Sequence, residues 1–341
     1  MKKVITFGEI MLRLAPPLWE RFVQCSTFNA TYGGGEANVA VSLANFGLDA
    51  AFVTKLPKHE IGQAAVNSLR RYGVDTSKIV RGGDRVGIYF LEKGANQRAS
   101  KVVYDRAGSS IGTAKPSDFD WDKILDGVEW FHFTGITPAL SETAAECVLV
   151  AVKKAKEKKI TISCDLNYRK NLWTKQEANA CMSKIVPYVD VVIANEEDAA
   201  DVFGITSEGT NVDGGHLNHD GYIDVAKQLQ ERFELERVAI TLRESVSASH
   251  NNWSAMLYAN GQAHFSKRYE IRDIVDRVGG GDSFGAGLIY ALITGKESQE
   301  ALEFAVAASC LKHSIEGDFN MVNVAEVNAL AGGSGSGRVQ R

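Results

Sequence analysis

The chain has 341 residues, of which 45% are hydrophobic and 23% are charged, values ordinary for a soluble globular protein. A net charge of −4 argues against a general nucleic-acid or membrane-surface binder, because both of those ligands are anionic. Positive charge must then be local, which suits an anionic small molecule. The length fits one large α/β domain or one domain with a small appendage.

The cysteines and the apolar segments indicate the cellular compartment. Five cysteines with no Cys-x-x-Cys pair indicate neither a disulfide framework nor a zinc site. No apolar run approaches the ~18 residues that cross a membrane, and Met1-Lys-Lys leads directly into a strand pattern rather than a signal peptide. We therefore expect a cytoplasmic protein with no membrane and no nucleic-acid partner.

The N-terminal part of the chain mixes α/β elements with a hairpin. Strands are predicted over 3–12 and 51–56, and helices over 38–46 and 60–72. Two short strands at 87–92 and 101–105 flank a turn and indicate a hairpin. Such a hairpin has no place inside a doubly wound sheet, so we predict that it projects as a lid.

The middle of the chain alternates buried strands with helices. The strands are predicted over 130–133, 160–166, 189–195 and 237–242, and the helices over 141–158, 175–186 and 222–233. This alternation favours a doubly wound α/β fold, with a mostly parallel sheet and helices on both faces. In such sheets ligands bind beyond the carboxyl ends of the strands.

The C-terminal part adds a second hairpin and two helices. Strands at 254–259 and 262–266 flank Asn260-Gly261, a strong hairpin signal, and helices are predicted over 283–294 and 298–313. The Gly- and Ser-rich stretch 332–337 predicts a flexible end. We expect one domain over 1–330, with lid strands inserted at about 10–32 and 87–106, followed by a flexible tail over 331–341.

The segment from Val278 to Leu288 is the most informative in the chain. Gly279, Gly280 and Gly281 precede Asp282 at the predicted start of a helix, where bare N–H groups and the helix dipole attract anions. A carboxylate at such a site suits a base that takes a proton from an attacking hydroxyl. The alternative is Asp282 as a plain N-cap after a glycine-rich turn.

Familiar phosphate-binding motifs are missing from the sequence. It contains no Gly-Lys-Ser/Thr of a Walker A loop, no early dinucleotide fingerprint, and no His-Arg-Asp or Asp-Phe-Gly of protein kinases. The glycines beside Asp282 therefore indicate phosphoryl transfer on another fold.

Two further groups of polar residues could hold a sugar acid. Asn38 follows Gly33-Gly34-Gly35 and could bind sugar hydroxyls, or it could be a surface residue after a tight loop. Tyr104 and Arg106 share one face of a strand and Tyr89 lies on its partner, an arrangement that suits a polyhydroxy carboxylate. A solvated face of a small sheet is the alternative.

Polar residues also follow three of the buried strands. Asp165-Leu-Asn-Tyr-Arg169 places an arginine where it could contact the substrate or the phosphoryl group, or pair with Asp165 to fix the loop. Asn195-Glu-Glu-Asp198 offers oxygen ligands that suit Mg²⁺, although an N-capped helix explains it nearly as well. Thr241 and Arg243 follow a third strand. His216-Leu-Asn-His219 lacks a third ligand in sequence, so we expect no metal there.

Together these segments resemble the ribokinase-like (PfkB) family of sugar kinases, from about residue 3 to residue 328. The signatures are the N-terminal Gly-Gly-x-Glu-x-Asn pattern that starts at Gly33 and the late Gly-x-Gly-Asp that ends at Asp282. The family fold, a central α/β sheet domain with a β lid, agrees with the predicted hairpin. Within the family, the chain is most similar to the kinases of 2-keto-3-deoxygluconate, a resemblance carried by 8–16, the Tyr89, Tyr104 and Arg106 set, and 165–169.

The resemblance implies an ATP- and Mg²⁺-dependent kinase and assigns a role to each matching residue. Asp282 would be the base, and the amides of Gly279, Gly280 and Gly281 would form an anion hole for the γ-phosphoryl group. The keto acid would be held by Gly34, Asn38, Tyr89, Tyr104, Arg106, Arg169 and Asp318. Asn195, Thr241 and Arg243 would lie along ATP, and Glu197 and Asp198 would place magnesium, directly or through water.

The chain departs from the family pattern in several places. Asp198 is one methylene shorter than the usual glutamate, and Leu242-Arg-Glu-Ser245 replaces a common glycine beside the nucleotide. The neighbourhood Met11-Leu-Arg-Leu lacks the aspartate that neutral-sugar kinases carry after the first strand. A neutral-sugar kinase and a non-catalytic sugar-acid or nucleotide sensor remain the rival interpretations. A monovalent-cation requirement is left open, and pairing of two lids predicts a homo-oligomer.

Overall fold

A computed structural model describes residues 2–195, 197–207 and 219–335. The described residues form fifteen β-strands: β1 (Lys3–Phe7), β2 (Met11–Ala15), β3 (Asn29–Gly33), β4 (Asp49–Val53), β5 (Lys55–Leu56), β6 (Val80–Arg81), β7 (Ile88–Glu92), β8 (Lys101–Asp105), β9 (Trp130–Thr134), β10 (Thr161–Asp165), β11 (Val191–Asn195), β12 (Arg237–Ser247), β13 (His250–Ala259), β14 (Gln262–Phe265) and β15 (Tyr269–Ile271).

The same residues form eleven α-helices: α1 (Gly35–Asn45), α2 (Glu60–Arg70), α3 (Trp121–Ile124), α4 (Ile136–Ala139), α5 (Glu142–Glu157), α6 (Lys175–Ile185), α7 (Asp198–Phe203), α8 (His219–Phe233), α9 (Gly280–Ile293), α10 (Ser298–Lys312) and α11 (Val324–Ala331). The main predicted helices are confirmed, with ends that shift by a few residues. His216 and residues 336–341 lie outside the described residues, so the predictions for the histidine pair and for the end of the tail stay predictions.

A nine-stranded sheet forms the centre of the molecule. Its strand order is β14-β13-β12-β11-β10-β9-β1-β4, and β15 also pairs with β13. The strands from β12 to β4 in this order run parallel, whereas β13, β14 and β15 join in antiparallel fashion. Asn260 and Gly261 both take positive φ between β13 and β14, as expected for a tight hairpin turn. The predicted mostly parallel sheet is confirmed.

Helices cover both faces of this sheet because alternate strand residues are apolar on both sides. In β1, Val4 packs in one cluster with α1, α9 and α10, while the next residue, Ile5, packs in the opposite cluster with α5, α6 and α8. The same alternation separates Val191 from Val192 in β11. The doubly wound arrangement therefore follows from strands that are buried on both faces.

A separate small sheet, which we call the lid sheet, has the strand order β3-β2-β7-β8. Its β7–β8 hairpin confirms the predicted pair and sets Tyr89 opposite Tyr104. The prediction of one strand over 3–12 is wrong, because the chain leaves the central sheet after Phe7 and enters the lid sheet at Met11. At the crossing, a Cβ on Gly8 would lie 2.1 Å from Cδ of the buried Glu36 carboxyl group.

Candidate active site

Two helices that begin after glycines meet beside the carboxyl ends of the parallel strands. Helix α1 starts at Gly35 and α9 starts at Gly280, and the two helices pack together. Asn38 Nδ2 donates a hydrogen bond of 2.7 Å to Asp282 Oδ2, while Asn38 Oδ1 accepts one from the Gly34 N–H. Asn38 therefore orients the Asp282 carboxylate, a role separate from the contact with the sugar that the sequence predicts for Asn38.

The glycine loop before α9 leaves several N–H groups without partners. Gly279 has φ of +85°, and a Cβ there would lie 2.1 Å from the Asp318 carbonyl oxygen, so only glycine fits. The Gly280 N–H donates to the Arg277 carbonyl at 3.2 Å. Among the described residues, no acceptor contacts the N–H groups of Gly279, Gly281 or Asp282. Those three amides, with the helix dipole, can bind an anion.

Asp282 is half-buried and lines the cleft. Burial raises the pKa of Asp282 to about 6 from its ordinary value of 3.8, the Asn38 hydrogen bond opposes this rise, and the charge of Asp318 adds to it. A carboxyl group with a pKa close to neutral pH is largely ionised there and is still basic enough to accept a proton from a substrate. The N-cap alternative is not what the structure shows, since Gly279 occupies the N-cap position and no side chain caps α9.

The predicted substrate residue Asp318 is buried and held by the lid sheet. It accepts a hydrogen bond of 2.7 Å from Arg13 Nη1, and the Tyr89 hydroxyl lies 2.6 Å from Oδ1 and 2.7 Å from Oδ2. Arg13 is itself 1% exposed and also binds Asp276. Arg13 had no predicted role. The signal was available, because Arg13 shares one face of β2 with Met11 and Ala15, and that face becomes buried.

Arg106 lies in the cleft with a partner that the sequence analysis did not identify. Its Nε donates to Glu9 Oε2 at 2.8 Å, its Nη2 binds the same oxygen, and Ser109 Oγ donates to Glu9 Oε1 at 2.6 Å. The guanidinium also stacks over the Tyr104 ring, 5.3 Å from the centroid. Arg106 is thus fixed rather than solvated, with Nη1 free of these bonds for a ligand carboxylate.

The loop after β10 is fixed by Asp198 rather than by a salt bridge within it. Asp198 accepts from the Tyr168 N–H at 3.0 Å and from the Asn195 N–H at 2.9 Å. Among the ion pairs of the described residues none joins Asp165 to Arg169, so that alternative is not borne out. Burial, with the charges of Asp198 and Asp282, raises the pKa of Asp165 well above its usual range. Arg169 remains exposed and lines the cleft.

Asn195 ends β11, and its side chain binds the turn that leads into α7, whose N-cap position is Glu197 with no side-chain cap. Its Oδ1 accepts from the N–H groups of Glu197 at 2.7 Å and Asp198 at 3.0 Å. Both oxygens of Asp198 already accept backbone N–H groups, and Glu197 is exposed. Within the described part of the chain there is no group of three or more His, Cys, Asp or Glu that could hold a metal. The side chains present therefore do not form a magnesium cage by themselves.

Another part of the cleft is basic. Thr241 and Arg243 of β12 line it together with Arg277, which the sequence analysis did not identify. Arg277 donates to the carbonyls of Ser247 at 3.2 Å and Ala248 at 2.6 Å. Burial, followed by the charge of Arg243, lowers the pKa of Arg277. Two guanidinium groups that line one cleft and repel one another favour an anionic ligand beside them.

The cleft as a whole has a volume of about 350 Å³. It brings together the predicted site residues Gly34, Asn38, Tyr89, Tyr104, Arg106, Arg169, Asn195, Asp198, Thr241, Arg243, Gly279, Gly280, Gly281, Asp282 and Asp318. Glu197 lies in an adjoining cleft that shares Arg169 and Arg243. No helix within the described residues is long and apolar enough to cross a membrane.

A half-buried carboxylate at the start of a glycine-led helix, in a cleft lined by several arginines, fits a phosphotransferase type of site. Residues 1–322 match the family model described as pfkB family carbohydrate kinase. The chain belongs to the pfkB family of carbohydrate kinases and is a phosphotransferase with an alcohol group as acceptor.

Several known proteins are similar over nearly the whole chain. A 2-dehydro-3-deoxygalactonokinase of Haloferax volcanii is 32% identical over 98% of both chains. A 2-dehydro-3-deoxygluconokinase of Thermoproteus tenax is 26% identical over 93% of this chain and 90% of its own. The crystal structure of a 2-dehydro-3-deoxygluconokinase from Thermotoga maritima is 56% identical, with a TM-score of 0.94 over 98% of this chain and 100% of that one.

Proposed function

We propose that the protein transfers the γ-phosphoryl group of ATP to the terminal hydroxyl of 2-keto-3-deoxygluconate, which is the same compound as 2-dehydro-3-deoxygluconate. The observation that carries this proposal is Asp282, a carboxylate with a pKa of about 6 beside three unpaired N–H groups. The similarity to kinases named for 2-dehydro-3-deoxy sugar acids supports the choice of substrate.

In the proposed reaction Asp282 is the base. The substrate hydroxyl oxygen forms a bond to the γ-phosphorus while the bond from that phosphorus to the ADP oxygen breaks. The hydroxyl proton passes to Asp282, and ADP leaves with the negative charge. The N–H groups of Gly279, Gly281 and Asp282 stabilise the charge on the transferred group, since they are fixed before the reaction begins.

The sugar acid is proposed to lie between Asp282 and the lid sheet. Its carboxylate would contact Nη1 of Arg106 and the exposed guanidinium of Arg169, both of which line the cleft. Gly34, Asn38, Tyr89, Tyr104 and Asp318 would contact the rest of the molecule. Arg169 forms no ion pair among the described residues, and Nη1 of Arg106 makes none of the bonds to Glu9, so these donors favour an acid over a neutral sugar.

ATP is proposed to lie along the part of the cleft lined by Asn195, Thr241 and Arg243, with Arg277 as a further contact for phosphate. Magnesium would arrive on the phosphates and keep most of its water, since the described residues offer no cage of carboxylates. Glu197 or Asp198 would contact it only through water. When bound, the ion neutralises phosphate charge.

The test is ADP formation with 2-keto-3-deoxygluconate, its galactonate epimer, ribose, fructose and no sugar. The wild type is compared with Asp282→Asn, Arg106→Ala and Arg21→Ala. Arg21 is the matched control, an arginine at the edge of the lid sheet that pairs with Glu92 away from the cleft. We expect turnover with the keto acids only, loss of turnover in Asp282→Asn, a much higher KM in Arg106→Ala and little change in Arg21→Ala.

The sugars separate the rival functions. Preferred turnover of the galactonate epimer would keep the mechanism and change the substrate, a result favoured by the Haloferax volcanii relative. Preferred turnover of ribose or fructose would reject the sugar-acid proposal. Tight binding of a keto acid without ADP formation would indicate a sensor.

We also propose that two copies associate through the lid sheet. β8 is an edge strand, and Val102, Val103 and Tyr104 on it are 42%, 54% and 41% exposed. Edge strands with exposed apolar residues favour pairing with a second chain. Light scattering should give the mass of a dimer or a higher oligomer for the wild type and of a smaller species for Val103→Lys. A monomeric wild type would reject the proposal.

A further inference from the structure

A lysine with no accessible surface lies behind the glycine loop. Lys312 is the last residue of α10 and is 0% exposed. Its Nζ donates to two backbone carbonyls, 3.3 Å to Asp276 and 3.0 Å to Ile315. Within the described residues, no carboxylate forms an ion pair with it. A fully buried ammonium group is rare, and one held by carbonyl oxygens alone is unusual.

The charges around Lys312 explain why an ammonium group is retained there. Asp276 and Asp318 are both buried, and Arg13 is the cation that binds both of them. One arginine neutralises one of the two carboxylates, so a second positive charge is needed in the same region. Burial lowers the pKa of Lys312, and the charges of Asp276 and Asp318 oppose that change.

Lys312 also contacts the backbone that forms the anion site. A Cβ placed on Gly279 would lie 3.3 Å from Lys312 Cε. The first of these carbonyls, from Asp276, lies just before the glycine loop in the chain. The second, from Ile315, lies just before Asp318. The ammonium group therefore joins the two chain segments that place the Gly279 N–H and Asp318. Lys312 does not itself line the cleft.

We propose that the Lys312 ammonium group is a built-in monovalent cation that holds the anion site in its binding geometry. Backbone carbonyls are also the ligands that bind K⁺ in proteins, and an ammonium group has the same charge. Because the cation is covalently attached, the kinase needs no inorganic monovalent cation. Lys312 is a positioning residue, and the inference rests on the proposed phosphoryl transfer but not on which sugar acid is the substrate.

The experiment removes the ammonium group and supplies a free cation in its place. Wild type, Lys312→Ala and Lys55→Ala are assayed in choline chloride, KCl and NH₄Cl at equal ionic strength. Lys55 is the matched control, a part-buried lysine that pairs with Asp118 at 2.8 Å outside the cleft. Turnover is measured as kcat and KM, and the melting temperature is measured in the same salts.

We expect wild type and Lys55→Ala to change less than about twofold in kcat between the salts. Lys312→Ala should lose roughly 10- to 100-fold in kcat in choline chloride, with KM changed far less. This loss is smaller than the roughly 10²- to 10³-fold loss caused by removing one oxyanion-hole donor, because Lys312 acts through the loop and does not contact the ligand. NH₄Cl or KCl should raise the kcat of Lys312→Ala by about fivefold or more over its value in choline chloride. The same salts should raise the melting temperature of Lys312→Ala and of neither other protein.

Three results would overturn the inference. They are strong activation of the wild type by K⁺, a wild-type kcat in Lys312→Ala, and a loss of kcat that neither NH₄⁺ nor K⁺ restores. If Lys312→Ala does not fold, the salt dependence of the wild type still decides the question. If the wild type forms no ADP with any sugar acid, the proposed function fails, and the salt-dependent melting temperatures still test the built-in cation.

Discussion

The raised pKa of Asp282 predicts that the proposed base destabilises the folded protein at neutral pH. The folded pKa is about 6 against an ordinary value of 3.8, so the folded state holds its proton where the unfolded chain has lost it. Below pH 3.8 both states are protonated and the group costs nothing. As pH rises through about 6 the penalty reaches its full size, at most about 3 kcal/mol from 1.36 kcal/mol per pKa unit.

Asp282→Asn removes this charge while its side-chain oxygen can still accept the hydrogen bond from Asn38. We expect the variant to unfold with a free energy up to about 3 kcal/mol larger than the wild type at pH 7.5, with no gain below pH 4. Because Asp282 is half-buried and faces the cleft, water makes this value an upper limit. The same variant should lose turnover, so stability and activity change in opposite directions.

The assay is urea unfolding at pH 7.5 and pH 4, followed by fluorescence and circular dichroism. Asp84→Asn serves as the control, because Asp84 is an exposed residue outside the cleft and its substitution should leave the free energy of unfolding unchanged. If Asp282→Asn is no more stable than the wild type at pH 7.5, burial does not raise the pKa of this carboxyl group and the reasoning fails.

Four further predictions concern Asp282 and the buried groups of the site. The kcat/KM of the wild type should fall below about pH 6 as Asp282 is protonated. Asn38→Ala should move this fall to higher pH, since its hydrogen bond favours the ionised form; an unchanged pH profile would contradict this. Gly279→Ala should lower kcat by roughly 10²-fold, because the new Cβ would force the loop to move. Gly281→Ala is the milder control, since a Cβ at that position would meet no atom within 4 Å. Equal activities would reject the crowding argument. Arg13→Met should lower the free energy of urea unfolding by about 3–5 kcal/mol, because it leaves buried carboxylates unpaired. Arg21→Met removes an arginine that is 43% exposed and should lower it by under about 1 kcal/mol. Similar losses in the two variants would refute this prediction.

Local sequence patterns determined the doubly wound sheet and the outline of the site. The alternation of strands and helices predicts a parallel sheet, and glycines before a helix predict free N–H groups. Both features can be read from the sequence because each depends only on residues that are close together in the chain. Because the carboxyl ends of parallel strands share one edge, residues far apart in sequence could be placed together, and Asn38 does contact Asp282. The boundary at Gly8 was missed, since it depends on the position of the Glu36 carboxyl group.

The partners of buried charges were decided only by the tertiary structure. Nothing local to Arg13 indicates a pair with Asp318, and nothing local to Arg106 indicates Glu9, because these residues come together only when the lid sheet packs on the central sheet. Lys312 has the spacing of an ordinary helical lysine, and its burial follows from the loops that enclose the end of α10. The sequence by itself determined which chemical groups the site contains. Folding decided which of them neutralise one another, since charge pairing depends on distance and burial rather than on sequence order.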